Sequence, residues 1–303
     1  TFAAAIAYID EMLRRGPDID DFAPRLSFLM YVHMDFIEEV AKFRACRRLW
    51  ARLMKERYGA KNPRSWRFRV HVQTGAALLT AQQPENNIAR AAIQCLAAAL
   101  GGVQSMALST YDEAFSIPSE KAQRIALRTQ QIVALETGVA NSADPLGGSY
   151  MVESLTDELE ERAESWIAEV DRRGGMLAVT QSGWIEGVLA EQAYQIQRQI
   201  ETGARPVVGV NRYIDGNEEG ELANVFRVAP EVEDAQIVRL QDVRRRRDKA
   251  KVGNALDRVR SAAAGNENLM DPIMAAVVAS ASGGEVFQAM RDVWGEYQPG
   301  ALF

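Results

Sequence analysis

The chain has 303 residues, of which 47% are hydrophobic and 25% charged, with a formal net charge of −6. That length and balance fit a soluble globular protein of one barrel-sized domain or two ordinary ones. The mild acidity excludes a nucleic-acid binder that works by neutralising phosphates. No apolar run approaches the ~20 residues that span a bilayer, so neither a nucleic-acid nor a membrane partner is expected. Thr1 opens an amphipathic segment without a basic start, which predicts no secretory leader. Two cysteines, Cys46 and Cys95, fall in helix-like runs. They read as small buried thiols, too few for a disulfide framework or a Cys-based zinc site, and point to a reducing, cytoplasmic setting. Only His33 and His71 are present, so no multi-histidine metal site is expected in this chain.

In chain order, Phe2, Ile6, Ile9, Met12 and Leu13 have helical spacing, and Gly16-Pro17 ends that helix. Residues 25–32 (RLSFLMYV) are β-compatible. A long helix follows from Asp35 to Tyr58 with Phe36, Val40, Phe43, Leu49 and Leu53 on its apolar stripe. Residues 66–73 alternate, with Trp66, Phe68, Val70 and Val72 on one side and Arg67, Arg69, His71 and Gln73 on the other. An alanine-rich helix spans 86–100 and stops at Gly101-Gly102. Residues 104–109 read as a third strand, and Ser119 opens a helix through Glu136. The alternation of helix and strand favours parallel strands joined by crossover helices. After Asp144-Pro145-Leu146-Gly147-Gly148 the pattern turns helical over 151–203, with breaks at Gly174-Gly175 and near Gly183. Val207–Val210 reads as a short strand, residues 214–234 as a polar surface linker, and 235–296 as a final helical part. The arginine run 244–247 reads as a solvated helix face or as an anion site.

Three strands cannot close a (β/α)8 barrel, which needs eight. Three parallel strands alone also leave two unpaired edges. The expected fold is therefore α/β: residues 1–150 as the last strands and helices of a TIM barrel, 151–213 as a helical extension, and 214–303 as a linker and C-terminal helical segment.

The alternating strand at 66–73 carries the chemistry-bearing candidates. A parallel strand buried on both faces is apolar throughout, but this one keeps a polar face. In a barrel that face points inward and places His71 and Gln73 at the C-terminal end, where barrel enzymes work. An edge strand facing solvent gives the same pattern. Arg25 and Ser27 share that phase on the preceding strand. Arg25 suits a phosphate or carboxylate clamp, or a structural ion pair. Asp112 and Glu113 follow the third strand, where a carboxylate accepts from sugar hydroxyls, acts as a base, or caps the next helix. No P-loop, GxGxxG, HExxH or GxSxG is present.

Several ordered motifs together resemble one family. These are Asp21-Phe22-Ala23-Pro24-Arg25-Leu26-Ser27-Phe28, Ala45-Cys46-Arg47-Arg48-Leu49-Trp50-Ala51, Arg69-Val70-His71-Val72-Gln73-Thr74, Leu79-Thr80-Ala81-Gln82-Gln83-Pro84 with Asn86-Asn87, Gly101-Gly102-Val103-Gln104-Ser105, Tyr111-Asp112-Glu113-Ala114, Asp144 to Tyr150, and Gly209-Val210-Asn211-Arg212-Tyr213. They resemble the large subunits of coenzyme B12-dependent acyl-CoA mutases, the methylmalonyl-CoA mutase family, over essentially the whole chain. The resemblance implies a (β/α)8 barrel threaded by the CoA arm and a radical carbon-skeleton rearrangement started by homolysis of the adenosylcobalamin Co–C bond. The hard chemistry would belong to the cofactor.

Carried over residue by residue, the resemblance implies that Arg25 and Ser27 hold the CoA portion. Gln73 and Glu113 would bond the adenosyl ribose, His71 and Gln104 would line the same pocket, and Ala76 and Ser116 would sit against the corrin. Ser109 stands where the family has an asparagine near that ribose. Leu29 and Ala77 replace aromatic residues around the acyl pocket, which enlarges it. Neither histidine lies in an Asp-x-His-x-x-Gly pattern, so the cobalt-ligating histidine is expected on a small cobalamin-binding subunit. The N-terminal barrel half is expected on another chain. The alternative is a non-catalytic subunit that supports an active mutase chain.

Overall fold

The computed structural model describes residues 1–214 and 228–296. Its chain forms two compact units, Thr1–Phe226 and Arg227–Phe303. In the first, helices α1 (Phe2–Arg14), α2 (Ile19–Phe22), α3 (Phe36–Arg52), α4 (Asn86–Leu100) and α5 (Glu120–Glu136) alternate with strands β1 (Phe28–Val32), β2 (Val70–Thr74) and β3 (Ser105–Ala107). Helices α6 (Tyr150–Arg172), α7 (Met176–Gln181) and α8 (Trp184–Glu201) follow. The sheet has the order β1-β2-β3 and both pairings are parallel, with Phe28 opposite Val70 and His71 opposite Ser105. Among the described residues no helix is long and apolar enough to cross a membrane.

The strands are shorter than the sequence pattern suggests, for a local reason. Pro24 starts a 3-10 turn over Ala23–Arg25, so Arg25 and Ser27 precede β1 instead of lying on it. With no partner ladder beside them, residues 66–69 stay outside β2, although their burial still alternates. Val207–Val210 is not a strand. Three successive amides, from Val210 to Arg212, turn back onto the Val207 carbonyl, and the Asn211 side chain accepts from Val207 N at 2.7 Å. A short β-branched run without a partner strand yields to these local bonds. Residues 215–227 of the expected linker lie outside the described residues, and from Pro230 the chain is helical.

One sheet face forms the core. Val32, Val70 and Val72 pack with Phe43, Leu49 and Trp50 of α3. Phe2, Phe28, Trp50 and Phe68 form an aromatic cluster, with the Phe28 and Phe68 centroids 4.8 Å apart and Phe28 edge-on to Trp50 at 5.0 Å. The buried Trp50 indole donates to Ser65 O at 3.1 Å, which satisfies its one polar atom. Cys46 and Cys95 are buried free thiols, and burial pushes each up to about 11.

Among the described residues no element covers the other sheet face. Leu29 and Tyr31 of β1 are 58% and 48% exposed. The bonds Phe28 N to Arg69 O (2.8 Å) and Gly75 N to Val32 O (2.8 Å) turn the even-numbered backbone groups of β1 toward β2. Leu29 and Tyr31 therefore direct their backbone groups to the outer edge, where Lys42 Nζ donates to Tyr31 O at 2.8 Å.

Helix α6 packs on the core through Val152, Ala163 and Ile167 and is lined with ion pairs to α3. Arg44, Arg48 and Arg52 recur every fourth residue along one α3 face. Arg44 meets Asp144 and Glu153, Arg48 meets Asp157 and Glu160, and Arg52 meets Glu160 at 2.7 Å and also Glu164. Glu160 is only 3% exposed. The Asp144–Gly148 motif forms the turn into this clasp: Asp144 has φ 49° and binds Arg44, while Gly148 N donates to Glu153 at 2.8 Å.

The second unit contains α9 (Pro230–Arg246), α10 (Lys249–Ala264), α11 (Met270–Val278) and α12 (Gly283–Trp294), with Val259, Ala276, Val286 and Ala289 in its core. The arginine run divides. Arg245 and Arg246 pair with Asp242 on the solvated α9 surface, whereas Arg247 makes a two-pronged pair with Glu285 at 2.5 and 2.7 Å. That pair holds the Glu285 carboxyl well below the usual carboxylate range. Arg244 is exposed.

Two stability tests follow from these contacts. Glu160→Ala removes the buried carboxylate that Arg48 and Arg52 share, while Asp157 and Glu164 still pair with them, and is expected to cost about 1–3 kcal/mol, against under about 1 kcal/mol for Glu164→Ala at the ladder's exposed end; urea unfolding of both variants measures the difference. At the β1–β2 end, a Cβ on Gly75 would lie 2.7 Å from His33 Nδ1 and 3.1 Å from Val32 O. Gly75→Ala is expected to destabilise by about 1–3 kcal/mol. Part of that loss should return when His33→Ala is added, which a double-mutant cycle reads directly.

Candidate functional site

The uncovered face and the loops at the C-terminal strand ends bring several of the expected residues together. Side chains alternate along a strand, so the parallel register puts Leu29, Tyr31, His71, Gln73, Ser105 and Ala107 on one face. His71 is half-buried and its Nδ1 lies 2.9 Å from Ser105 Oγ. Gln73 is half-buried at the last turn of β2 and donates through Nε2 to Ser109 Oγ at 3.5 Å.

Ser109 is buried at 2% exposure, and its hydrogen bonds run into the protein. Its N–H donates to Thr74 Oγ1 at 2.7 Å and its hydroxyl donates to Thr74 O at 2.9 Å. It thus extends the β2–β3 pairing beyond Ala107 through a side chain. The next residues place the two carboxylates differently. Asp112 is buried and accepts from Thr110 Oγ1 (2.7 Å) and Ser119 N (2.9 Å), so it braces the turn before α5. Ser119 itself caps α5 by accepting from Ala122 N at 3.2 Å. Glu113 is half-buried, and one of its oxygens accepts from Thr110 N at 3.2 Å. The other oxygen is an available acceptor beside the strand ends.

Ala76 begins a 3-10 turn directly after β2, and Ser116 sits half-buried in the loop after β3, donating to Ile117 O at 2.9 Å. Ala76, Gln73, Ser109, Glu113 and Ser116 therefore belong to one end of the sheet. Arg25, Ser27 and Gln104 belong to the other. Gln104 accepts from Val70 N at 2.8 Å and so replaces a backbone carbonyl in the ladder at the start of β3. Arg25, Ser27, Arg67 and Arg69 are exposed there, and Arg69 donates to Pro24 O at 2.9 Å. Among the described residues none of these three arginines has a carboxylate partner, whereas the arginines of α3 facing α6 are paired. Unpaired guanidinium groups gathered at one end make an anion-attracting surface.

Tyr31 and Thr74 are part of this arrangement although the sequence pattern did not single them out. The signal for Tyr31 was present, two residues beyond Leu29 on the same face. Thr74 showed none, because its role is a contact with a residue 35 positions away. Among the described residues no group of three or more His, Cys, Asp or Glu side chains is placed to hold a metal ion.

Comparison with known proteins identifies the family. The methylmalonyl-CoA mutase family matches residues 1–296. The chain is 44% identical to the 2-hydroxyisobutanoyl-CoA mutase large subunit of Aquincola tertiaricarbonis over 304 residues, covering 100% of this chain and 54% of that protein. It is 43% identical to methylmalonyl-CoA mutase of Cereibacter sphaeroides over 299 residues, covering 98% of this chain and 42% of that protein. With the Escherichia coli enzyme of the same name the identity is 38% over 298 residues, 98% of this chain and 41% of the relative. The chain spans about half the length of the curated relatives it matches. With the family matched from Thr1 to Glu296, this chain belongs to the methylmalonyl-CoA mutase family.

Proposed function

We propose that this chain supplies the last three strands of the substrate barrel in an adenosylcobalamin-dependent acyl-CoA mutase, acting in the cytoplasm on a branched acyl-CoA. The observation that carries the reading is the uncovered sheet face, cationic at one end and lined with amide and carboxylate acceptors at the other. Closure of the (β/α)8 barrel falls to an N-terminal barrel half on another chain, with residues 151–213 as a helical extension and 214–303 as a linker and C-terminal helical segment. A small cobalamin-binding subunit provides the cobalt-ligating histidine.

On this reading Arg25 and Ser27 bind the CoA portion, with Arg67 and Arg69 adding positive charge beside them. Leu29 faces the acyl group; with Ala77 in the next loop it leaves more room than aromatic side chains would. Gln73 and Glu113 fit the ribose of the cofactor, because its hydroxyls need acceptors and Glu113 keeps one oxygen available while Thr110 N holds the other. Ala76 and Ser116 face the corrin, and His71 and Gln104 order the strand pairing below it. When bound, adenosylcobalamin supplies the radical chemistry that interchanges a substrate hydrogen and a carbon-bound group. The protein's part is to orient both ligands and exclude water between them.

Ser109 is the exception. Its hydroxyl is engaged by Thr74 O, so it substitutes poorly for an asparagine that reaches the ribose. That observation favours the second reading, a structural subunit without cofactor contacts, which the acceptors at Gln73 and Glu113 oppose.

Reconstitution with the partner chains, adenosylcobalamin and a panel of branched acyl-CoA esters tests the proposal. Mass spectrometry of the recovered esters is expected to show isomerisation of at least one, and conversion of none would overturn it. In the active assembly Glu113→Ala should weaken cofactor affinity by about 10–100-fold through loss of a charged hydrogen bond. Unchanged turnover in that variant would assign the chain the structural role.

A further inference from the structure

Three segments at the C-terminal strand ends are fastened to the first two turns of α4, all through Asn87 and Arg90. Asn87 is fully buried. Its Oδ1 accepts from Thr80 N at 3.1 Å, and its Nδ2 donates to Thr80 O at 2.8 Å and to Tyr111 O at 2.9 Å. One amide thus closes a two-way bond with the loop after β2 and reaches the loop after β3. Arg90 extends the connection. Its Nη1 donates to Asn87 Oδ1 (2.7 Å) and Thr80 Oγ1 (2.9 Å), and its Nη2 donates to Val208 O (2.7 Å).

Val208 belongs to the turn at 205–213, more than a hundred residues away in sequence. That turn is itself closed by hydrogen bonds. Asn211 Nδ2 donates to Ile200 O at 2.7 Å and to Arg205 O at 2.8 Å, tying it to the end of α8. Gly209 has φ 82° and packs so closely that a Cβ there would lie 3.2 Å from the Gln83 side chain, while Gln83 donates to Tyr213 O at 2.9 Å. Burial lowers the Arg90 pKa, and its bonded partners here are neutral oxygens. A guanidinium held by neutral acceptors from three segments gives geometry instead of charge neutralisation.

We infer that Asn87 and Arg90 are positioning residues that set the separation between the Ala76–Thr80 loop and the Tyr111–Ser116 loop, with the 205–213 turn as their external brace. The inference rests on the proposed reading of those two loops as the cofactor-facing ones. Asn87 acts through the backbone of Thr80 and Tyr111, and Arg90 through the Thr80 hydroxyl and the Val208 carbonyl. Misplacing a binding group by about 1 Å is enough to lower affinity strongly.

The test uses the assembled mutase with Asn87→Ala and Arg90→Lys, two variants that differ in their risk to folding. Arg90→Lys keeps the charge but cannot span three acceptors with one head group. Apparent affinity for adenosylcobalamin is expected to fall about tenfold in Asn87→Ala and less in Arg90→Lys, while KM for the acyl-CoA stays within about twofold. Amide exchange should rise in both variants at 79–83. It should also rise at 110–116 for Asn87→Ala and at 207–213 for Arg90→Lys. Unchanged cofactor affinity and exchange would overturn the inference. So would an equal loss of cofactor and acyl-CoA affinity together with a lower Tm, which marks a general folding role. If the parent assembly binds no adenosylcobalamin, the functional reading fails, and exchange alone then decides whether the two residues hold the loops.

Discussion

Everything in the first unit follows from a sheet whose two faces are treated unequally. The even-numbered side chains of β1 and β2 are packed under α3 and α4, and among the described residues the odd-numbered ones have no layer above them. A parallel sheet in a finished protein is covered on both faces or closed on itself. Among the described residues one face is open and both outer strands present unpaired edges, with Lys42 meeting a single carbonyl of β1. The open face is also where the residues with chemical capability lie.

The helices around this sheet serve to hold the strand ends in register. Apolar packing of Val152, Ala163 and Ile167 and the arginine–carboxylate ladder to α3 together hold the long helix that follows the sheet. The ladder's buried member, Glu160, is the one whose partners cannot be replaced by water. At the opposite end of the strands, Thr74, Ser109 and Asn87 convert loop backbone into a continuation of the ladder. Order at that end depends on side-chain to backbone bonds, and those are the contacts most sensitive to one substitution.

Much of the architecture was readable from periodicity. Helix α4 matches its expected span, Ser119 caps α5 as expected, and the breaks at Gly174-Gly175 and Gly183 separate α6, α7 and α8. These signals are local, and local signals survive into the fold. Pattern alone overran β1, because the turn geometry at Pro24 and the absence of a neighbouring ladder decide where the strand begins. It misread Val207–Val210 because β-branched residues were present without any strand to pair with. The site was half-readable for the same reason. Gln73 and Glu113 were legible as candidates from their places near the end of a strand and just past one. The inward turn of Ser109 and the bridging by Asn87 and Arg90 depend on partners 35, 24 and 118 residues away.

On the proposed reading, other strands complete this sheet. Amide exchange at Leu29 on β1 and Met106 on β3, whose backbone groups face the two outer edges, tests it most directly when the chain is compared free and assembled with its partner chains. The account predicts fast exchange at both amides in the free chain and strong protection at both after assembly. Fast exchange at both positions in a catalytically active assembly would contradict it.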